Sequence, residues 1–425
     1  MHTLNTFPNQ LRLVCAPMSG VDSVTVMILV GAGSRYESKD NNGISHFLEH
    51  MFFKGGVMFP TPKSVSHAVD SIGGMSNAFT DKEYVGYYVK VSKHHVETAF
   101  ALLADMLLDS KFPEEEIDKE RGVIAEELNM YQDSPSQQIF WDFERQLFGD
   151  QPIGWDEGGT KEFLQRVQRE DFLRFKKRLY TPDNCVVTVA GNVDPDRIAT
   201  LVEKYFSRMS GTKEYLSAAL EHSEVLQTKL SIRKKPTDQA HVMLGIQGIA
   251  YPDAKRWPLK IASTILGGNS SSRMFQHLRE ELGLCYSVHT GTTHYKDCGT
   301  LYAKAGVSLE NTEKAVEAII QTFLESVEKN PVTADEVDSA KEYLKGTMSL
   351  VQEDTEEVAL FHGRQLLFVN QVHTKQDIDA LIDAVTLADV QQALTERCYK
   401  NALCVSLIGP FDELPRVHEF LHTIS

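Results

Sequence analysis

Five residues near the start of the chain, His46-Phe-Leu-Glu-His50, combine two imidazoles and a carboxylate at helical spacing. Residues four apart lie on one face of an α-helix, so both imidazoles reach one point in space. Neutral imidazole is a good zinc ligand, and two of them need a third ligand to leave one tetrahedral position open for water. Glu49 lies on the same helical face, placed to take a proton from that water as a general base. The third ligand is expected on the acidic segment Glu114–Tyr131, which carries Glu120, Glu126 and Glu127. Positions seven apart return to nearly the same face, so Glu120 and Glu127 share one side about 10 Å apart along the axis. On that arrangement Glu127 ligates zinc, while Glu120 supports the site from behind by orienting a ligand or the water.

Such residues need a scaffold, and the chain supplies one of similar design twice. Leu11–Met18 and Val24–Val30 are rich in Val and Ile and read as a hairpin of strands. A Gly/Ser turn follows, then a helix over Ile44–Phe53, a strand over Glu83–Val91, and helices over Val96–Leu108 and Glu114–Tyr131. The acidic start of the last helix complements its dipole. Strand Cys185–Ala190 and helix Pro195–Phe206 close the half. His241–Ile246, Leu301–Ser308 with its helix Asn311–Val327, Glu336 and Leu403–Gly409 repeat that order at offsets of 216 to 220 residues. One unit has been duplicated. The expected fold is α+β, two homologous domains each built on a mainly antiparallel sheet covered by helices. The boundaries are 1–207 and 235–425, with 208–234 as a polar linker. Opposite His46, Glu49, His50 and Glu127 stand Ala262, Ile265, Leu266 and Thr347, so the second domain is expected to bind no metal.

At 425 residues, 42% hydrophobic and 24% charged, the composition is that of a soluble globular enzyme. A net charge of −16 argues against a nucleic-acid partner, because phosphate binding needs surplus Lys and Arg. Six scattered cysteines (15, 185, 285, 298, 398 and 404) suit reduced thiols. No secretion signal or membrane-length apolar run is visible, so the protein is read as soluble, and cytoplasmic if bacterial. Cys285, His289, His294 and Cys298 could be imagined as a second zinc site, but strand alternation around Gly291 would spread them apart. Gly31-Ala-Gly33 is read as a turn, since the third glycine and the immediate helix of a nucleotide loop are missing.

His46–His50, Met51-Phe-Phe-Lys-Gly55, Gly73-Gly74 with Asn77-Ala-Phe-Thr, and the run from Glu120 to Glu127 together resemble the inverzincin family of pitrilysin, insulysin and the mitochondrial processing peptidase β subunit. The resemblance spans essentially the whole chain. It implies zinc held by the two histidines and a glutamate 76 or 77 residues after His50, which leaves Glu126 or Glu127; register within the Glu120–Glu127 run selects Glu127, with Glu120 as the accessory glutamate. It also implies that Asn77 and Ala78 lie on an edge strand that pairs with an extended substrate, a β-augmentation.

Ser271 to Tyr286 is similar to the family's second-domain motif, in which an Arg and a Tyr seven residues apart reach across the cleft; Arg279 and Tyr286 match, and either could stabilise a tetrahedral oxyanion. The family's architecture implies two domains facing across a cleft, and a homodimer or a heterodimer with a related chain that encloses short or unfolded polypeptides. The expected activity is that of a zinc-dependent endopeptidase with one Zn2+ per chain. The alternatives are a non-catalytic partner subunit of the same fold and a zinc hydrolase of a non-peptide amide.

Overall fold

A computed structural model describes residues 2–214, 219–220, 229–397 and 403–424. The first sheet contains β1 (Thr3–Thr6), β2 (Arg12–Pro17), β3 (Ser23–Val30), β4 (Met75–Thr80), β5 (Val85–Ser92) and β6 (Cys185–Gly191), in the order β1-β2-β6-β3-β5-β4. The second contains β7 (Lys229–Lys234), β8 (Ala240–Gln247), β9 (Cys285–His294), β10 (Gly299–Val307) and β11 (Cys404–Gly409), in the order β7-β11-β8-β10-β9. From β2 and β7 onward the two orders are the same. Even the parallel pair recurs, β2 with β6 and β7 with β11, inside otherwise antiparallel sheets. Register repeats as well: Met27 stands opposite Thr188 and Tyr88, and Met243 opposite Ser406 and Lys304. The duplicated α+β architecture is therefore built into the pairing itself.

Two sequence expectations change. β2 and β3 are not a hairpin, because β6 lies between them, parallel to one and antiparallel to the other. The five-residue connection need only step across one intervening strand, about 10 Å. The segment expected as linker ends earlier than residue 234, because Lys229–Lys234 is a strand of the second sheet; residues 215–218 and 221–228 of that segment lie outside the described ones.

Seven of the eight residues of β3 are buried, and its alternate side chains serve two different cores. Val24, Val26, Ile28 and Val30 join the large cluster under α1 (Ile44–Phe52), α2 (Val96–Asp109) and α3 (Glu114–Asp133). Met27 and Leu29 point the other way and meet Val358 and Ala359. That is why Val24–Val30 is a continuous apolar run and not an alternating one.

The helix covering this second face comes from far along the chain, and a matching exchange occurs in the other sheet. The molecule divides into a unit of Met1–Asn129, Trp155–Ala218 and Ser349–Lys375, and a unit of Met130–Gly154, Ala219–Met348 and Gln376–Ser425. These units differ from the contiguous ranges 1–207 and 235–425 because one helix of each repeat is traded. Helix α4 (Pro135–Phe148) buries Ile139, Phe143 and Leu147 with Met243, Cys404 and Ile408 of the second sheet. Its Glu144 accepts a hydrogen bond from the Tyr295 hydroxyl at 2.6 Å. Within the second unit, α5 (Arg256–Gly267), α6 (Thr312–Glu328) and α7 (Ala334–Val351) are the counterparts of α1, α2 and α3.

The reciprocal helix, α8 (Thr355–Val369), lies on the first sheet. Thr25 and Thr355 share a buried hydroxyl–hydroxyl bond of 2.8 Å, and the Thr188 hydroxyl donates to the Ala359 carbonyl at 2.8 Å. Gly363 sets how closely the helix approaches: a Cβ there would stand 2.7 Å from Leu29 Cδ1 and 3.0 Å from Thr188 Cγ2. Among the described residues no helix is long and apolar enough to cross a membrane.

Overpacking this seam has a predictable sign. Gly363→Leu is expected to lower stability by about 1–3 kcal/mol. Gly346→Ala, in α7 with nothing within 4 Å of the added Cβ, is expected to raise it by about 0.5–1 kcal/mol. Chemical denaturation of the two variants checks both.

Candidate metal centre

Helix α1 is clamped at both ends by buried carboxylates from outside it. Its preceding residue, Gly43, has φ 102°, a left-handed conformation that glycine adopts without strain. No side chain of the helix caps it. Instead the Glu37 carboxylate accepts from Gly43 N at 2.7 Å, Ser45 N at 2.8 Å and Asn42 Nδ2 at 2.9 Å, a negative charge at the positive end of the dipole. Burial lifts the Glu37 carboxyl above the usual range, and these donors pull against it. Beyond the helix's other end, Asp105 of α2 accepts from the backbone N–H groups of Val57, Met58 and Phe59 at 2.8–2.9 Å. The loop that leaves α1 is thereby pinned.

Between these clamps, α1 presents His46 and His50 one turn apart, with ring centroids 4.9 Å from each other. Helix α3 brings Glu127 to both: Oε2 lies 3.6 Å from His46 Nε2 and 3.3 Å from His50 Nε2. Of the two adjacent acids, Glu126 is exposed and bonds Asn129, so Glu127 is the one that faces the imidazoles. The three ligand atoms lie within 4.8 Å of one another. Among the described residues no other three His, Cys, Asp or Glu side chains converge in this way. Cys285, His289, His294 and Cys298 do not. Two imidazole nitrogens and a carboxylate oxygen are the donor types that suit zinc, so these residues fit a divalent ion. Five described cysteines, 15, 185, 285, 298 and 404, are buried; Cys398 lies outside the described residues.

Glu120, one helical repeat before Glu127, receives the other side of His50: Nδ1 and Oε2 are 3.1 Å apart. Its second oxygen accepts from Lys54 Nζ. Burial opposes charge on both partners, yet the carboxylates of Glu120 and Glu127 raise His50 to about 9, and His50 with Lys54 holds Glu120 below the usual range. Glu49 points toward the first sheet, where Thr80 Oγ1 donates to its Oε2 at 2.5 Å. Burial raises the Glu49 carboxyl, outweighing the pull of His46, the Thr80 hydroxyl and His50.

Asn77 and Ala78 lie on β4, the outer strand of the first sheet, and the Ala78 N–H is held by the Asn77 side chain at 2.9 Å. Arg279 and Tyr286 belong to the second unit. Arg279 sits on a turn of π-helix, Phe275–Glu281, with its guanidinium 4.6 Å from the Phe275 ring centroid and 5.2 Å from that of Tyr286. Its Nε is 3.7 Å from Glu280. Tyr286, on the outer strand β9, is 82% exposed, so it is not packed away in its sheet. Ala262, Ile265 and Leu266 are buried on α5. Sequence reasoning left Lys54 and Thr80 without a role. Helical spacing from His50 marks the first, and two-residue spacing from Ala78 the second.

Fold and site together define a duplicated α+β protein whose first half brings together His46, His50 and Glu127, side chains that could hold a metal ion. The description "Insulinase (Peptidase family M16)" matches residues 13–155, and "Peptidase M16 inactive domain" matches 166–344. An uncharacterized zinc protease of Bacillus subtilis, YmxG, is 35% identical over 96% of this chain and 98% of its own length. Another, of Streptomyces coelicolor, is 33% identical over 97% and 91%. The chain belongs to the insulinase family, peptidase family M16. The crystal structure of a protease from Helicobacter pylori shares the fold with a TM-score of 0.88 at 22% identity, over 96% of this chain and 99% of that one. So does a chain of Complex III2 from Candida albicans, with 0.83 at 16% identity over 99% of each.

Two outcomes follow from the His50 environment. Glu120→Gln is expected to weaken zinc binding about 10–100-fold, read by chelator competition. In chelator-treated protein, His50 keeps its proton up to about 9 against an ordinary 6.5. That stabilisation is complete below the ordinary value and is lost as pH rises through the folded one. The unfolding free energy of the metal-free chain is therefore expected to fall between these limits by on the order of 3 kcal/mol, and His50→Gln to flatten the slope.

Proposed function

We propose that this chain is a zinc-dependent endopeptidase that hydrolyses short or unfolded polypeptides, with one zinc per chain held by His46, His50 and Glu127. The observation that carries the reading is the convergence of those three ligand atoms beside a carboxylate, Glu49, that belongs to none of them. The zinc proteases among its relatives support it. Zinc, when bound, supplies Lewis acidity at the scissile carbonyl and lowers the pKa of water to about 7. Glu49 takes the proton of the attacking water on Oε1, the oxygen left by Thr80, and returns it to the leaving amine. Asn77 and Ala78 hold the substrate backbone as an added strand of the first sheet. Arg279 and Tyr286 donate to the oxyanion, worth about 3–4 kcal/mol for one such donor. Glu120 orients His50. The working form is a dimer, of two copies or with a related chain, that encloses the substrate in a chamber, in the cytoplasm of a bacterium.

A non-catalytic subunit is the second reading, favoured by the fold shared with a chain of Complex III2. Metal content and turnover separate the two. The expected outcome is about one zinc per chain and cleavage of an unstructured quenched peptide. Glu49→Gln is expected to lose at least ~100-fold in turnover while keeping its zinc. A chain without zinc supports the subunit, and peptide turnover retained in Glu49→Gln removes the general base.

A further inference from the structure

Thr80 ends β4, two residues beyond Ala78 and therefore on the same face of the strand. Its hydroxyl donates to Glu49 Oε2 at 2.5 Å, a charge-assisted bond when the carboxylate is ionised. The last torsion of a glutamate is broad and soft, so a carboxylate anchored at one oxygen presents the other in a fixed direction. The donor is itself held from behind. Thr80 is in register with Val85, the first residue of β5, and Asp81 N donates to Tyr84 O at 2.9 Å to close the turn between the strands.

That turn is fixed by charges almost wholly out of water. Lys82, 1% exposed, donates to Trp155 O at 2.8 Å and lies 3.0 Å from Glu157 Oε1. Glu83 is bound by Arg35 at 2.6 Å, and Arg35 N donates to Lys82 O. Buried charges that are paired and hydrogen-bonded resist displacement, because breaking a pair leaves an uncompensated charge.

We propose that Thr80 is the positioning residue of the hydrolytic base, fixing the Glu49 carboxylate through its hydroxyl and tying it to the strand that carries Asn77 and Ala78. The assignment rests on Glu49 being the base. Thr80 acts on the proton transfer and not on metal binding or on substrate affinity.

The test uses the full-length zinc-loaded protein and an unstructured quenched peptide. Thr80→Val keeps the branched shape that suits a strand and removes the donor. It is expected to lower kcat about 10–100-fold, with KM within about 3-fold and zinc per chain unchanged. Thr80→Ala, a second variant without the donor, is expected to match it, and Thr80→Ser to recover kcat to within about 3-fold of the parent. A Thr80→Val or Thr80→Ala enzyme with parental kcat, beside a Glu49→Gln enzyme that has lost it, overturns the role of Thr80 alone. So does zinc loss in the donorless variants, or a deficit that serine does not recover. Turnover retained in Glu49→Gln overturns both assignments together.

Discussion

Three lone pairs aimed at one point repel one another unless a positive charge lies among them. His46 Nε2 and His50 Nε2 stand 3.6 and 3.3 Å from Glu127 Oε2, brought that close by two separate helices. Under the proposed function, a shared cation is the constraint around which these side chains are organised. Glu37 and Asp105 clamp α1 at its two ends, and Arg121 donates to the carbonyls of Leu164 and Val167 to fix α3. Without an ion, a proton on His50 takes its place, which is why the flanking carboxylates lift that imidazole so far.

Duplication gave both halves the same strand order, but among the described residues the His/His/Glu cluster stands in the first alone. Where the first half places His46, Glu49 and His50 on α1, the second places Ala262, Ile265 and Leu266 in its core. Apolar side chains at these positions of a helix that faces a sheet add to its packing. The second unit instead exposes Tyr286 on its outer strand and stacks Arg279 against it.

Much of this was legible in the sequence. The spacing of His46, Glu49 and His50 is local, and a helical repeat relates Glu120 to Glu127, while the choice of Glu127 over Glu126 rests on the family resemblance. The constant offset between the halves anticipated matching sheets, and the strands pair accordingly. What periodicity cannot supply is a tertiary partner. Thr80 and Lys54 meet the site only because β4 and α3 are brought to α1 by the fold. The Val24–Val30 run signalled two covered faces, but not which helix covers the second. The apolar faces of Pro135–Phe148 and Thr355–Val369 would suit either sheet. The choice is settled by details such as the Thr25–Thr355 contact and the close approach at Gly363. The expected hairpin failed for a related reason: neighbours in sequence predict proximity, and β6, far along the chain, is the strand that β2 and β3 actually share.

The traded helices impose an order on synthesis. When β6 emerges from the ribosome the first sheet has all its strands, yet Met27, Leu29 and Ala190 have no cover until Thr355–Val369 follows. At roughly 5–20 residues per second that interval is on the order of ten to thirty seconds. Through it the nascent chain carries an uncovered apolar surface broad enough to invite chaperones or misassociation, and the half that holds His46, His50 and Glu127 matures only when most of its duplicate has been translated.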